Sequence, residues 1–236
     1  MRSRILWLDL LRTLAILMMI TFHTAFDLQG LHGWNINVFS GGWDVLRIAT
    51  GTLFIGLSGF STHFSRHPYK RAVKILAAAA LVSMATYVWD PETYIRFGIL
   101  HLIGVTMLVI PLLKRFGMWN ILLGIGIVLT GNAYAGTIVD THLLLPFGFL
   151  PPMFSTLDYY PLLPWSGVAM IGYGIGFQLD LIAHQANPNH QSVSARPSRD
   201  GSLITNILSL PGRHALTIYL LHQPVIIAAL FLMLGE

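Results

Sequence analysis

An all-α polytopic transmembrane bundle of about seven spans, with its N-terminus in the cytoplasm, is predicted by three observations on the sequence. First, of 236 residues 54% are hydrophobic and only 10% charged, and the mean hydropathy is +0.65. An ordinary soluble domain carries about a quarter of its residues as charges. Second, apolar runs long enough to cross the roughly 30 Å hydrocarbon layer recur along the chain. Third, Lys and Arg are distributed asymmetrically. With the N-terminus inside, the cytoplasmic segments hold Arg2, Arg4, Arg66, Lys70, Arg71, Lys74, Lys114, Arg115, Arg196, Arg199 and Arg213, whereas the outside keeps Arg47 and Arg96. That is the positive-inside pattern, and it accounts for the net charge of +4 without nucleic acid as a partner. No break in composition marks a second domain, so residues 1–236 read as a single integral-membrane domain. The absence of cysteine excludes disulfides, thiolate catalysis and thiolate metal sites.

The spans fall at about 5–28, 45–65, 72–89, 97–113, 118–135, 162–181 and 213–234. The charged start, MRSRILWL, resembles a signal peptide, but Asp9 and Arg12 inside the apolar run and the lack of a small-residue cleavage site make it the first membrane helix. The fifth span is the weakest, because it holds Gly124, Gly126, Gly131 and Asn132. Residues 183–202 are polar with Pro and Ser and read as a cytoplasmic linker. Residues 136–161 are apolar and Pro-rich, as expected of an external loop that folds back on the bundle or anchors at the interface. Trp7, Trp43, Trp89, Trp119 and Trp165 suit an interfacial belt.

The first span carries the most informative residues: Asp9, Arg12, His23 and Asp27 lie inside an apolar run. Ionisable groups at membrane depth cost a few kcal/mol each, so they are functional candidates by default. On a helix Arg12 and His23 lie roughly 20° apart in azimuth and roughly 16 Å apart along the axis. They share one stripe at different depths. Asp9 is within helical reach of Arg12, and Asp27 of His23. Asp9 and Arg12 also suit a neutralising ion pair at the cytoplasmic interface, where Arg12 can snorkel.

His101, in FGILHLIG, is placed about a turn inside the outer end of the fourth span, and His222, in IYLLHQP, near the middle of the seventh, beside Gln223 and Pro224. A lone intramembrane histidine can simply bond a neighbouring helix. His63, His67, His184 and His190 fall at helix ends or in loops and read as solvated; His32, His142 and His214 are ambiguous. A neutral imidazole suits general-base catalysis, for instance when an amine or hydroxyl attacks a thioester. No serine nucleophile elbow, phosphate-binding glycine loop or HExxH motif is present, and no metal site is expected. Transfer chemistry at His23 remains, alongside haem binding by histidine pairs drawn from His23, His101 and His222, or a proton-coupled transporter using the charged stripe as a relay.

The order Arg12, ten residues, then His23 in LDLLRTLAILMMITFH resembles the first-helix motif of membrane acyltransferases that move acyl groups from a cytoplasmic donor across the bilayer. More closely, LDLLRTLAILMM with FHTAFDL, then RFGILHLIGVT, DYYPLLPWSGV and GRHALTIYLLHQPV are similar to segments of the bacterial relatives of heparan-alpha-glucosaminide N-acetyltransferase. Members commonly have Gly after the arginine, where this chain has Thr13. The resemblance implies a multi-pass protein of the bacterial inner membrane that uses acetyl-CoA to acetylate an amine or hydroxyl of a sugar or glycan acceptor on the outer face, with a second copy of the chain as a candidate partner. On that reading the nucleotide docks at Arg66, Lys70, Arg71 and Lys74, whose bland alternative is topology determination. The pantetheine arm passes Arg12, His23 is the base, Asp27 orients it, and His101 or His222 positions the carbonyl or the acceptor. In the lysosomal enzyme an asparagine stands in the place of His23 and the catalytic histidine lies in the loop after the first helix. His32 is therefore a second candidate base. Heparan sulfate is not inferred as the substrate, because that enzyme has parts this chain lacks.

Overall fold

A computed structural model describes residues 6–186 and 203–235. Arg2, Arg4, His190, Arg196 and Arg199, with most of the expected linker, lie outside them. The helices are α1 (Leu6–His32), α2 (Gly41–His63), α3 (Pro68–Trp89), α4 (Ile99–Val109, prolonged by a 3-10 segment Ile110–Phe116), α5 (Trp119–Tyr134), α6 (Leu162–Ala186), α7 (Leu203–Leu208), α8 (Leu210–Arg213) and α9 (Ala215–Leu234). α1, α2, α3, α4 with its extension, α6 and α9 are long and apolar enough to cross a membrane; α5 is apolar but shorter. The protein is a polytopic helical membrane protein. Packing groups the chain into two compact units, residues 1–54 with 193–236, and residues 55–192, a division that falls inside α2 and that composition does not mark.

In the first unit α1 runs a turn beyond the expected end at 28 and stops at His32, where Gly33 takes a positive φ of 66° that ends the helix. His32 therefore sits in the last turn of α1 rather than in the loop that follows. Phe22 and Ala25 of α1 pack with Val38, and Phe26, Ile36, Trp43 and Leu46 close around them. The pairs along α1 advance in the same sense as those on the C-terminal helices: Thr13 meets Gly212, His23 meets His222, Asp27 meets Gln223 and His32 meets Phe231. α1 and α9 are parallel neighbours.

In the second unit α5 and α6 are antiparallel along the whole of α5. Gly117 lies against Phe177, Gly124 against Gly167 and Gly131 against Pro164. The end of α2 runs parallel to α6, with Gly56 and Gly59 at Gly172 and Ala169 and His63 at Asp180. Small residues set these distances, as membrane helices that associate through close backbone contact require. A Cβ at Gly124 would meet the Gly167 carbonyl, one at Gly167 the Gly124 carbonyl, and one at Gly172 the Gly56 carbonyl.

These directions count the crossings. Two parallel spans are separated by an odd number of crossings, so parallel α2 and α6, with α3 and α4 between them, require α5 to cross as well. Its 16 residues reach about 24 Å, short for a bilayer, and α6 with its 25 residues supports it throughout. The glycines that weaken the fifth span as a sequence are its packing surface. Gly124→Leu should separate α5 from α6, lowering stability by about 1–3 kcal/mol as overpacking does, whereas Gly126→Leu, where an added Cβ meets nothing within 4 Å, should leave it nearly unchanged. Thermal unfolding of both variants in detergent checks this.

Candidate active site

The α1–α9 seam carries an unusual load of polar groups. α9 is apolar and largely exposed in the way of a lipid-facing helix, yet its buried residues are His222 and Leu230. The His222 ring lies 4.8 Å from the His23 ring, centroid to centroid, with the planes at 82°. His23 Nδ1 is 2.9 Å from the Met19 carbonyl and His222 Nδ1 is 2.6 Å from the Tyr219 carbonyl. A carbonyl only accepts, so both Nδ1 atoms are protonated donors and Nε2 is the open nitrogen of each ring. His222 Nε2 is buried and has no hydrogen-bond partner among the described residues. One turn beyond His23, buried Asp27 accepts from Gln223 Nε2 at 2.7 Å and 2.9 Å, using both carboxylate oxygens. Gln223 Oε1 is buried and without a hydrogen-bond partner among the described residues.

This corrects one expectation. Asp27 does not orient the His23 ring: the Met19 carbonyl, one turn back on the same helix, occupies Nδ1, and Asp27 is turned to α9. Spacing of i and i+4 allowed both arrangements, and the neighbouring helix chose between them. A glutamine beside a histidine in an otherwise apolar helix was the sequence signal for its partner. His32 has its Nε2 buried without a partner and its ring against Phe231 at 5.4 Å.

Toward the start of α1 a second cluster ties it to α8. Arg12 pairs with buried Asp9 at 2.8 Å, and Arg213 Nε approaches the other Asp9 oxygen at 3.9 Å. The Thr13 hydroxyl donates to the Asp9 carbonyl and accepts from the Gly212 N–H, both at 3.0 Å. Gly212 lies so close to the Asp9 carbonyl that a Cβ there would collide with it. Thr13 thus closes a hydrogen bond to a glycine on the opposing helix. Arg12 is engaged in an ion pair, as the interfacial alternative anticipated.

In the second unit His101 has a different occupation from the expected one. Its Nδ1 accepts from the Gly98 N–H at 3.2 Å and Nε2 lies 3.4 Å from the Ser83 hydroxyl, which donates to the Ile95 carbonyl. Both ring nitrogens thus have partners around the N-terminus of α4. The loop 136–161 docks on the same α3–α4 connection: Asp158 accepts from the Ile99 N–H at 2.9 Å, Leu157 N–H donates to the Thr93 carbonyl and Tyr160 N–H to that of Phe97. Arg96 lies over the rings of Tyr94 and Phe154. Asp158 was not singled out from the sequence; a capping carboxylate supplied 59 residues away leaves no local signal.

Arg66, Lys70, Arg71 and Lys74 are exposed around the start of α3. Cations in the first turn of a helix are opposed by its dipole. His63, expected to be solvated, is instead packed against Phe64, Tyr173 and Phe177 and lies 3.3 Å from Asp180, which His184 also approaches at 3.7 Å. The reason is the parallel contact of α2 with α6, which turns a helix end into an interior position. No group of three His, Asp or Glu residues suited to a metal ion is found among the described residues.

The family described as heparan-alpha-glucosaminide N-acetyltransferase, catalytic, matches residues 4–224, a stretch that takes in the α1 cluster, His23, His222 and Gln223. The chain belongs to this family. It is a transmembrane acetyltransferase. Comparison with curated proteins and with solved structures gave no match.

The docked loop of this acetyltransferase carries a titratable contact. Burial of the Asp158 carboxyl, partly offset by the amides of Ile99 and Tyr159, pushes it up to about 6 from an ordinary 3.8. A folded-state value above the unfolded one means that the native state holds the proton more tightly. The contribution to stability is therefore complete below about 3.8 and is lost as pH rises through about 6. Amide exchange at Ile99 and over 156–160, corrected for intrinsic rate, should slow on acidification from pH 7 to pH 4. Asp158→Asn, which keeps an acceptor oxygen, should remove that dependence.

Proposed function

We propose that this acetyltransferase takes an acetyl group from cytoplasmic acetyl-CoA and transfers it to an amine or hydroxyl of a sugar or glycan precursor on the outer face of a bacterial inner membrane. The observation that carries the reading is the His23 imidazole, pinned through Nδ1 to the Met19 carbonyl with Nε2 left as its open nitrogen. Attack on a thioester needs a base that accepts the nucleophile's proton as the new bond forms, and a neutral imidazole held in one tautomer does that. The family membership supplies the reaction class, and the glucosaminide in the family's description makes a sugar amine the acceptor to try first.

The other residues take roles consistent with their surroundings. Asp27 and Gln223 present a carboxylate and an unpaired amide oxygen, both acceptors, and these suit the N–H and O–H groups of a sugar. His222 lines the path of the thioester. In the second unit, Arg66, Lys70, Arg71 and Lys74 present exposed positive charge that suits phosphates, besides any part in fixing topology. Arg12, balanced by Asp9, borders the donor's entry. His101 is left a structural role. Haem held between His23 and His222 is disfavoured by ring contact at 4.8 Å, edge to face, which is not the arrangement of two axial ligands across an iron.

The test is acetyl transfer by purified protein in detergent, with acetyl-CoA and glucosamine-bearing acceptors. His23→Gln should lower kcat by about 10²–10⁴-fold while sparing acetyl-CoA affinity. Arg12→Ala should weaken acetyl-CoA binding or folding instead. Wild type that neither binds nor turns over acetyl-CoA, or the reverse pattern in the two variants, refutes the assignment.

A further inference from the structure

We propose that His222 is the second half of a proton relay, receiving from His23 the proton taken from the acceptor and returning it to the sulfur of the departing CoA. This rests on the acetyl-CoA reading and adds to it a role for a residue otherwise assigned only to lining the site.

Three features carry it. Each ring donates Nδ1–H to a carbonyl of its own helix, at 2.9 Å from His23 to Met19 and 2.6 Å from His222 to Tyr219, so the Nδ1 protons are spectators and exchange is confined to Nε2. His222 Nε2 is buried and has no hydrogen-bond partner among the described residues, in a residue 9% exposed on a largely apolar helix, while Gln223 beside it is bonded to Asp27. A buried lone pair without a donor costs stability, and a ring whose work was only to fill the seam would not need to leave one. Finally, the rings are in contact at 4.8 Å, edge to face. Two imidazoles this close hold one extra proton between them and resist a second.

The surroundings favour movement over trapping. On α1 the titratable neighbour is Asp27, whose two oxygens are engaged by Gln223. On α9 it is Tyr219, whose ring lies 5.5 Å from that of His222. Neither ring nitrogen is hydrogen-bonded to the carboxylate, which would otherwise hold an imidazolium in place.

The step balances as follows. The acceptor R–NH2 attacks the thioester carbon, forming C–N, while the carbonyl electron pair moves to oxygen and an N–H proton passes to His23 Nε2. Collapse of the tetrahedral intermediate breaks C–S, and sulfur leaves with the bonding pair. The proton passes from His23 Nε2 to His222 Nε2 and then to the thiolate. The products are R–NH–acetyl and HS–CoA, with both histidines returned to their starting tautomer.

The variant that separates relay from packing is His222→Asn, whose amide reproduces the Nδ1–H donor to the Tyr219 carbonyl and lacks Nε2. Acetyl-CoA affinity should be kept, kcat should fall about 10²-fold, the pH profile of kcat should change, and added imidazole should restore part of the rate. A kcat within threefold of wild type with an unchanged profile, or a loss that imidazole does not rescue while affinity is intact, overturns the relay and leaves the acetyltransferase reading standing. Wild type inert toward acetyl-CoA overturns both. Should the variant fail to fold, nitrogen-15 spectra of histidine-labelled wild type decide: Nδ1–H on both rings supports the relay, and an Nε2–H tautomer on either ring in the resting protein overturns it.

Discussion

The parallel contact of α1 with α9 is the constraint from which the candidate site follows. Groups that would be costly alone in a bilayer are brought face to face along that seam: Asp27 with Gln223, His23 with His222, and, through α8, Asp9 and Thr13 with Arg213 and Gly212. Two adjacent residues of α9 keep a buried polar atom without a hydrogen-bond partner among the described residues, His222 at Nε2 and Gln223 at Oε1, and His32 Nε2 and Arg213 Nε do so elsewhere on the seam. Buried polar atoms without partners are uncommon in native structures. At the His23 level two adjacent residues carry such atoms; at the level of Asp9 and Arg12 it is Arg213 Nε, 3.9 Å from the Asp9 carboxylate.

The second unit solves a different problem, that of bringing backbones close enough for dispersion to hold helices together where lipid removes the hydrophobic drive. Glycines at Gly56, Gly59, Gly124, Gly167 and Gly172 do this, and their cost in local helix propensity is offset by contact. A span that reads as weak by hydropathy is for this reason firmly held. The same unit uses its polar residues for closure. His101, Ser83 and Asp158 hydrogen-bond around the start of α4 and the loop that packs on it, which gives an intramembrane histidine local partners.

Much of this was legible in the chain. Hydropathy and charge asymmetry are summed over many residues, so composition sufficed for the membrane class and the approximate spans, and the motif Arg12 to His23 with its companion segments sufficed for the family. Helical periodicity put Arg12, His23 and Asp27 on one side of α1, because azimuth within a helix depends only on sequence separation. What spacing could not provide was the identity of the opposing helix. His63 and His101 illustrate both directions of that error: one looked solvated and is packed, partly buried, against α6, the other looked free and has both nitrogens engaged.

By itself, then, the sequence determined a polytopic acetyltransferase with its costly side chains on the first helix. The tertiary structure decided that α5 crosses, that Asp27 belongs to Gln223, that Met19 and Tyr219 fix the tautomers of His23 and His222, and that these two rings touch. The physical reason is that hydrogen-bond partners across helices depend on which helices are neighbours and in which direction they run. Residue 23 and residue 222 are adjacent only once the bundle has closed.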